Sequence, residues 1–276
     1  MTTTVAAGRV AQENFPVAMR VLPRALRADL QATYGFARHV DDLGDDPARP
    51  IEKRTEDLRA LADQVHRLYG GLAVSDPAVA RLDRLTDRVP AEPWLALVDA
   101  NLQDQKVDRY AAFTGLLDYC RLSANPVGRV VLHIVGQATP ERLELSDHIC
   151  TGLQLVEHWQ DVGEDYRNGR VYLPQEDLRA FGVPEQALAA DVASPAVRSL
   201  IGFECDRALA YLDVGAVLIP TLHGWAKTAV SGYLNGGRAA VRLLARQGYD
   251  PLVAVRKPTA VNVLACWARA LVRSAG

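Results

Sequence analysis

The chain has 276 residues, 49% of them hydrophobic and 23% charged, with a formal net charge of -2 and a pI near 6.3. That length and apolar fraction suffice for a large core, and size alone does not decide between one domain and two. The near-balanced charge, without a long Arg/Lys block, gives no electrostatic case for nucleic acid and points to small partners.

Four widely spaced cysteines, Cys120, Cys150, Cys205 and Cys266, form no Cys-x-x-Cys pair and read as reduced, buried thiols rather than zinc ligands. Met1 to Gly8 lack a basic start with an apolar core behind it, and no uncharged apolar run reaches eighteen residues. A cytoplasmic protein that does not span a membrane is expected.

In chain order, residues 1–12 carry no periodicity and are expected to be flexible. Residues 24–43 place Leu26, Leu30, Thr33, Tyr34, Ala37 and Val40 at helical spacing between Pro23 and Gly44. This helix carries Tyr34, Arg38 and Asp41 at steps of four and three, and runs into Asp41-Asp42-Leu43-Gly44-Asp45. Residues 51–69 repeat the pattern and stop at Gly70-Gly71; Ser75-Asp76-Pro77 then reads as a cap with proline in the first turn. Pro90 and Pro93 break the chain before Trp94. Residues 109–136 form the next long helical segment, with a kink or break expected about Ser123 to Asn125, because Pro126 removes a helix hydrogen bond.

Residues 141–166 hold a second acidic cluster and end at Asn168-Gly169. An irregular region after Pro174 leads to two further helices, at 195–218 and 221–246, and only Arg170 to Leu173 has strand character. No repeat or linker divides the chain, so an all-α single domain over 1–276 is predicted. The tail, 259–276, puts Val261, Leu264, Ala268, Leu271 and Val272 on one side. It is expected to pack as a last core helix, with peripheral contact at the inner face of the membrane as the alternative.

Laid on a helix, Gln154, Glu157, Asp161 and Asp165 fall at steps of three, four and four and leave one side of the cylinder. A solvated face is the ordinary explanation of either acidic cluster alone. Two clusters on different helices, with an arginine beside one, suit Mg2+ ions bridging to an anionic diphosphate.

At these residues the chain resembles the squalene and phytoene synthases, the head-to-head isoprenyl diphosphate synthases. Asp41-Asp42-Leu43-Gly44-Asp45 and Asp161-Val162-Gly163-Glu164-Asp165 resemble the two aspartate-rich motifs of that family. The stretches Asn14 to Ala18, Leu22-Pro23, Tyr34 to Arg38 and Gly169 to Pro174 sit where the family has its recurring segments, and the likeness covers most of residues 13–250. Tyr119-Cys120-Arg121-Leu122-Ser123-Ala124-Asn125-Pro126-Val127-Gly128-Arg129 is similar to the bacterial hydroxysqualene synthase branch of hopanoid biosynthesis.

The resemblance implies an isoprenoid-synthase helical bundle acting on a long hydrocarbon that ends in a diphosphate. Asp41, Asp45, Asp161 and Asp165 would bind Mg2+ and serve catalysis. Glu157 stands where many relatives have a metal-reaching asparagine and is a fifth candidate ligand. Arg38 and Arg170 would hold the remaining diphosphate oxygens, with Arg179 or Arg129 as substitutes. Tyr34, Tyr172, Gln154, Asn14, Phe15 and Leu122 complete the implied substrate contacts. Phe15, Phe36, Leu122, Val131 and Leu155 are candidates for a hydrocarbon tunnel, although each reads by itself as an ordinary core residue. Leu122 replaces a tyrosine that several relatives tie to the first condensation.

The expected activity is therefore ionisation of presqualene diphosphate and capture by water, with product handover to other squalene-pathway enzymes. A condensing synthase of the same fold is one alternative, and a non-catalytic isoprenoid- or partner-binding helical protein is another. Asn125 and Ser123, at the break before Pro126, either seat the attacking water or simply satisfy the broken helix.

Overall fold

The computed structural model describes residues 23–253. The first half contains α1 (Arg24–Gly44), α2 (Ile51–Tyr69), the short α3 (Pro77–Ala80) running into a 3-10 turn (Arg81–Leu85), and α4 (Glu92–Asp104). It continues with α5 (Phe113–Ser123), α6 (Asn125–Ile134) and α7 (Pro140–Gln160). The remainder is α8 (Val162–Arg167), α9 (Gln175–Ala180), a 3-10 turn (Glu185–Ala189), α10 (Pro195–Gly215), α11 (Leu218–Thr221) and α12 (Gly224–Arg246). The architecture is the expected all-α bundle, and among the described residues the extended pairing is confined to one parallel bridge, Arg109 to Val171. No described helix is long and apolar enough to cross a membrane. Asn14, Phe15, Cys266, residues 1–12 and the tail at 259–276 lie outside the described residues.

Local chemistry accounts for several helix ends. Asp76 accepts from the backbone N–H groups of Ala78 and Val79, with Pro77 inside the first turn, as the sequence predicts. Thr139 and Ser194 cap α7 and α10 in the same manner, each followed by proline. The expected break before Pro126 is present: α5 ends at Ser123, Ala124 leaves ideal helical geometry at φ -107°, and α6 starts at Asn125.

Four expectations need correction. The segment 109–112 is not helical, because Asp108 gives its carbonyl to Val171 of the crossing strand-like segment and Tyr110 gives its own to Gln175 at the start of α9. The helix expected over 141–166 is interrupted at Asp161 (φ -103°, ψ 12°), although Asp165 N–H still donates to Asp161 O at 2.8 Å. The region after Pro174 holds α9 and a 3-10 turn rather than irregular chain. The helix expected to reach 218 stops at Gly215, and α12 starts at Gly224 rather than 221.

One core cluster joins α1, α2 and α4 around Phe36 and Trp94, which meet edge to face at 5.6 Å. The other surrounds α7 and α10, with Leu155, Trp159 and Leu212 wholly buried. Helix α7 comes close to α10 at Gly152, where a Cβ would lie 2.8 Å from Leu212 side-chain atoms. The end of α1 also comes close to α4: a Cβ on Gly44 would clash with Asn101 Oδ1. That second approach matters for the site, since it brings Asp41 and Asp45 beside the end of α4.

A buried charge cluster on α10 lends itself to a stability test. Arg207 lies between the rings of Phe113 and Phe203, 4.4 and 4.2 Å from their centroids, and pairs with Asp177 at 2.6 Å. Beside it, fully buried Glu204 is pushed up to about 8 by burial, against the opposing charge of Arg207, with Asp177 adding to the rise. The unfolded chain releases this proton near the ordinary glutamate value and the folded chain only near 8, so stability falls as pH rises between them. Glu204→Gln should therefore raise Tm at pH 9 by several degrees and change it far less at pH 5, measured by calorimetry.

Candidate active site

The acidic residues gather where helices end. Asp41 lies in the last turn of α1 and Asp45 is its C-cap; Asp104 is the last residue of α4; Glu157 lies in the last turn of α7, with Asp161 as its C-cap. Carboxylates at helix C-termini face the negative end of each macrodipole. Such crowding favours a bound cation.

Asp41 accepts a 3.3 Å hydrogen bond from Asn101 Nδ2. Although the residue is exposed, partial desolvation by the surrounding helix ends pushes its carboxyl up to about 6, with Asp45 adding to the rise and Asn101 and Arg38 opposing it. Asp165, half-buried in α8, is pushed up to about 7 by burial, then by Asp161 and Glu164; Arg170 opposes this and Glu157 adds to it. Glu157, Asp161 and Asp165 thus act on one another electrostatically, as the helical spacing predicts.

Arg170 connects the two groups. Its Nη2 is 3.3 Å from Asp45, its Nη1 is 3.6 Å from Asp104, and Nη1 also donates to Tyr172 Oη at 3.4 Å. Arg38 instead pairs with the exposed Asp42 at 3.2 Å, one turn away. Surface pairs of this kind contribute about 0–1 kcal/mol, so exchange of Asp42 for a phosphate oxygen costs Arg38 little. Tyr34 sits one turn earlier on α1, half-buried.

Sequence reasoning missed Asp104. Its Oδ2 accepts from Tyr119 Oη at 2.8 Å, and its Oδ1 is buried without a hydrogen-bond partner among the described residues. Burial pushes the carboxyl up to about 6 against the Arg170 charge, with Asp45 and Asp41 adding to the rise. An acid at the final residue of a helix was the available signal, since the dipole disfavours it there. His158 was missed too: it is buried, stacks on Tyr172, and is pushed down to about 3 by burial and then by Arg170.

Several candidates are placed elsewhere. Arg129 forms a two-pronged pair with Asp147, and Arg179 donates to the Gln175 carbonyl, so no recorded contact brings these substitutes to the acidic residues. Asn125 is buried and accepts from Thr151 Oγ1 at 2.9 Å, a bond that ties α6 to α7. It lines a cavity of about 740 Å³ with Arg121, Arg129, His133 and Asp147, and none of the cluster residues lines it. Phe36 and Leu155 are wholly buried core, while Leu122 and Val131 are partly buried and pack against the two core clusters.

The donor set offered to a metal is all oxygen, which fits a hard cation such as Mg2+. Among the described residues no three acidic groups already form a compact cage. Mg2+ commonly uses one or two carboxylates together with substrate phosphates, and two clusters within the charge reach of Arg170 suit that mode.

A helical bundle with carboxylates gathered at helix C-termini around an arginine has the architecture of the all-α isoprenoid synthases. The chain belongs to the squalene/phytoene synthase family, whose model matches residues 9–263. It is thus an enzyme of the head-to-head isoprenoid synthase family, which acts on isoprenoid diphosphates.

The presqualene diphosphate synthase of Rhodopseudomonas palustris is 35% identical over 202 residues, 72% of this chain and 71% of that protein. The hydroxysqualene synthase of the same organism is 36% identical over 188 residues, 67% of this chain and 63% of that protein. The crystal structure of squalene synthase HpnC from Alicyclobacillus acidocaldarius superposes with a TM-score of 0.80 at 39% identity, covering 87% of this chain and 91% of that one.

Proposed function

We infer that the protein is a hydroxysqualene synthase that converts presqualene diphosphate and water into hydroxysqualene and diphosphate. The carbon–oxygen bond breaks with its electron pair leaving on diphosphate, the cation rearranges, and a water oxygen bonds to the cationic carbon and loses a proton. The carrying observation lies at the α5–α6 break. Ser123 Oγ is buried there without a hydrogen-bond partner among the described residues, and Pro126 offers no N–H to the Leu122 carbonyl four residues earlier. A hydroxyl and a carbonyl with spare capacity can hold one water. Leu122 supplies no hydroxyl of its own, in keeping with a substrate that is already joined.

Asp41, Asp45, Asp161 and Asp165, with Glu157, would hold Mg2+, which would supply positive charge to the departing diphosphate. Arg170 is held between Asp45 and Asp104 with its guanidinium fork facing both, while Arg38 exchanges Asp42 for a diphosphate oxygen. Gln154 and Tyr172 are assigned to the diphosphate contacts of the same site. Asp104 anchors Arg170 from the interior side, and its bond from Tyr119 fixes that anchor.

Incubation side by side with presqualene diphosphate and farnesyl diphosphate, followed by mass analysis, tests the assignment. Consumption of presqualene diphosphate with release of an alcohol is expected. Conversion of farnesyl diphosphate to presqualene diphosphate alone would establish the condensing alternative instead.

Glu157 provides a narrower test. Its carboxylate is exposed on α7 and raises Asp165 by its charge. Glu157→Gln should raise the Mg2+ concentration for half-maximal activity several-fold, with little change in apparent substrate affinity at saturating metal. An unchanged metal requirement would return Glu157 to a solvated surface role.

A further inference from the structure

The imidazole of His158 is 6% exposed in a stretch of α7 that otherwise buries Leu155, Val156 and Trp159. A polar ring in such company carries a desolvation cost, and its contacts show what offsets it. Its face lies on the Tyr172 ring, with centroids 3.7 Å apart and planes 16° apart. The Tyr172 ring also stacks on Tyr110 at 5.9 Å and meets Tyr119 at 5.8 Å, so His158 closes one side of an aromatic block. The rim of that block carries Arg170, donating to Tyr172 Oη, and Asp104, accepting from Tyr119 Oη. One turn before His158 on α7, Gln154 Nε2 stands 3.3 Å from His158 Nε2.

With the amide NH2 donating, the ring accepts at Nε2, its proton sits on Nδ1, and the Gln154 carbonyl oxygen is left outside this bond. The ring therefore connects the helix that carries Glu157 to the segment that carries Arg170. Stacking fixes the distance between them, and the hydrogen bond fixes the rotation of Gln154.

Resting on the diphosphate-binding role proposed above, we propose that His158 is a positioning residue for the pyrophosphate group of the substrate. It orients Gln154 through Nε2 and holds Tyr172, with its Arg170 contact, through the ring face. It touches neither metal nor substrate itself. A phenylalanine in its place would keep the stack and the volume while losing the acceptor, which separates the orienting role from plain packing.

The test is calorimetric titration of inorganic pyrophosphate, at saturating Mg2+, into the wild-type chain, His158→Phe, Gln154→Met and the double variant. The Gln154–His158 bond is made before pyrophosphate binds, so its loss acts on affinity through the lost orientation of Gln154: each single variant should bind pyrophosphate about fivefold more weakly while keeping its helical fold. The double variant should lose no more than Gln154→Met alone, since His158 acts through Gln154. Wild-type affinity in His158→Phe, or additive losses in the double variant, would overturn the positioning role. If His158→Phe fails to fold, Gln154→Met still decides, because undiminished pyrophosphate affinity there overturns it equally. Absence of pyrophosphate binding by the wild type would instead overturn the diphosphate-binding role, and the positioning role with it.

Discussion

Asp41→Asn and Asp161→Asn should each lower turnover of the isoprenoid diphosphate by about a hundredfold or more while leaving the helical circular dichroism intact. Each change removes one ligand charge with almost no change of volume. Asp41 is exposed but sits beside Asp45 at the C-terminus of α1, so its ionised form costs the protein energy unless a cation compensates. That cost is explained if the carboxylate is kept for a metal. The same substitutions should raise thermal stability slightly without added Mg2+, because they relieve repulsion at the C-termini of α1 and α7. Full activity in either variant would remove the two-cluster metal assignment, whereas loss of activity together with loss of helicity would point to a structural role. Chelation of divalent ions should abolish wild-type turnover.

Arg170→Lys should reduce kcat/KM by about a hundredfold, although the formal charge is kept. The guanidinium spans Asp45, Asp104 and Tyr172 at once. An ammonium has no flat fork with which to reach an acid on either side and still face a diphosphate. Arg38→Lys should cost less, since Arg38 has only a surface pair with Asp42 to exchange. A comparison of the two variants in single-turnover kinetics checks the ranking, and equal losses would contradict it.

Much of this arrangement was legible in the sequence because its signals are local. Pro23 and Gly44 bound α1, Asp76-Pro77 marks the start of α3, and Pro126 marks the break between α5 and α6. Helical spacing likewise put Glu157, Asp161 and Asp165 within electrostatic reach of each other. The interruption at Asp161 was not legible, since neither proline nor a positive-φ residue marks it. Asp104 was hidden for another reason. Its importance depends on α1, α4 and the segment at 170–172 meeting in space, and no spacing rule reports contacts such as that of Arg170 with Asp45, 125 residues apart. The partners of Arg129 and Asn125 come from α7, eighteen and twenty-six residues on, beyond the reach of helical periodicity.

The catalytic account stands most directly on a single-turnover incubation of the enzyme with presqualene diphosphate and Mg2+ in oxygen-18 water, read by mass spectrometry. It predicts hydroxysqualene carrying one heavy oxygen, released together with one diphosphate, and no turnover once divalent ions are chelated. Unconsumed presqualene diphosphate, or a hydrocarbon product without the label, would contradict it.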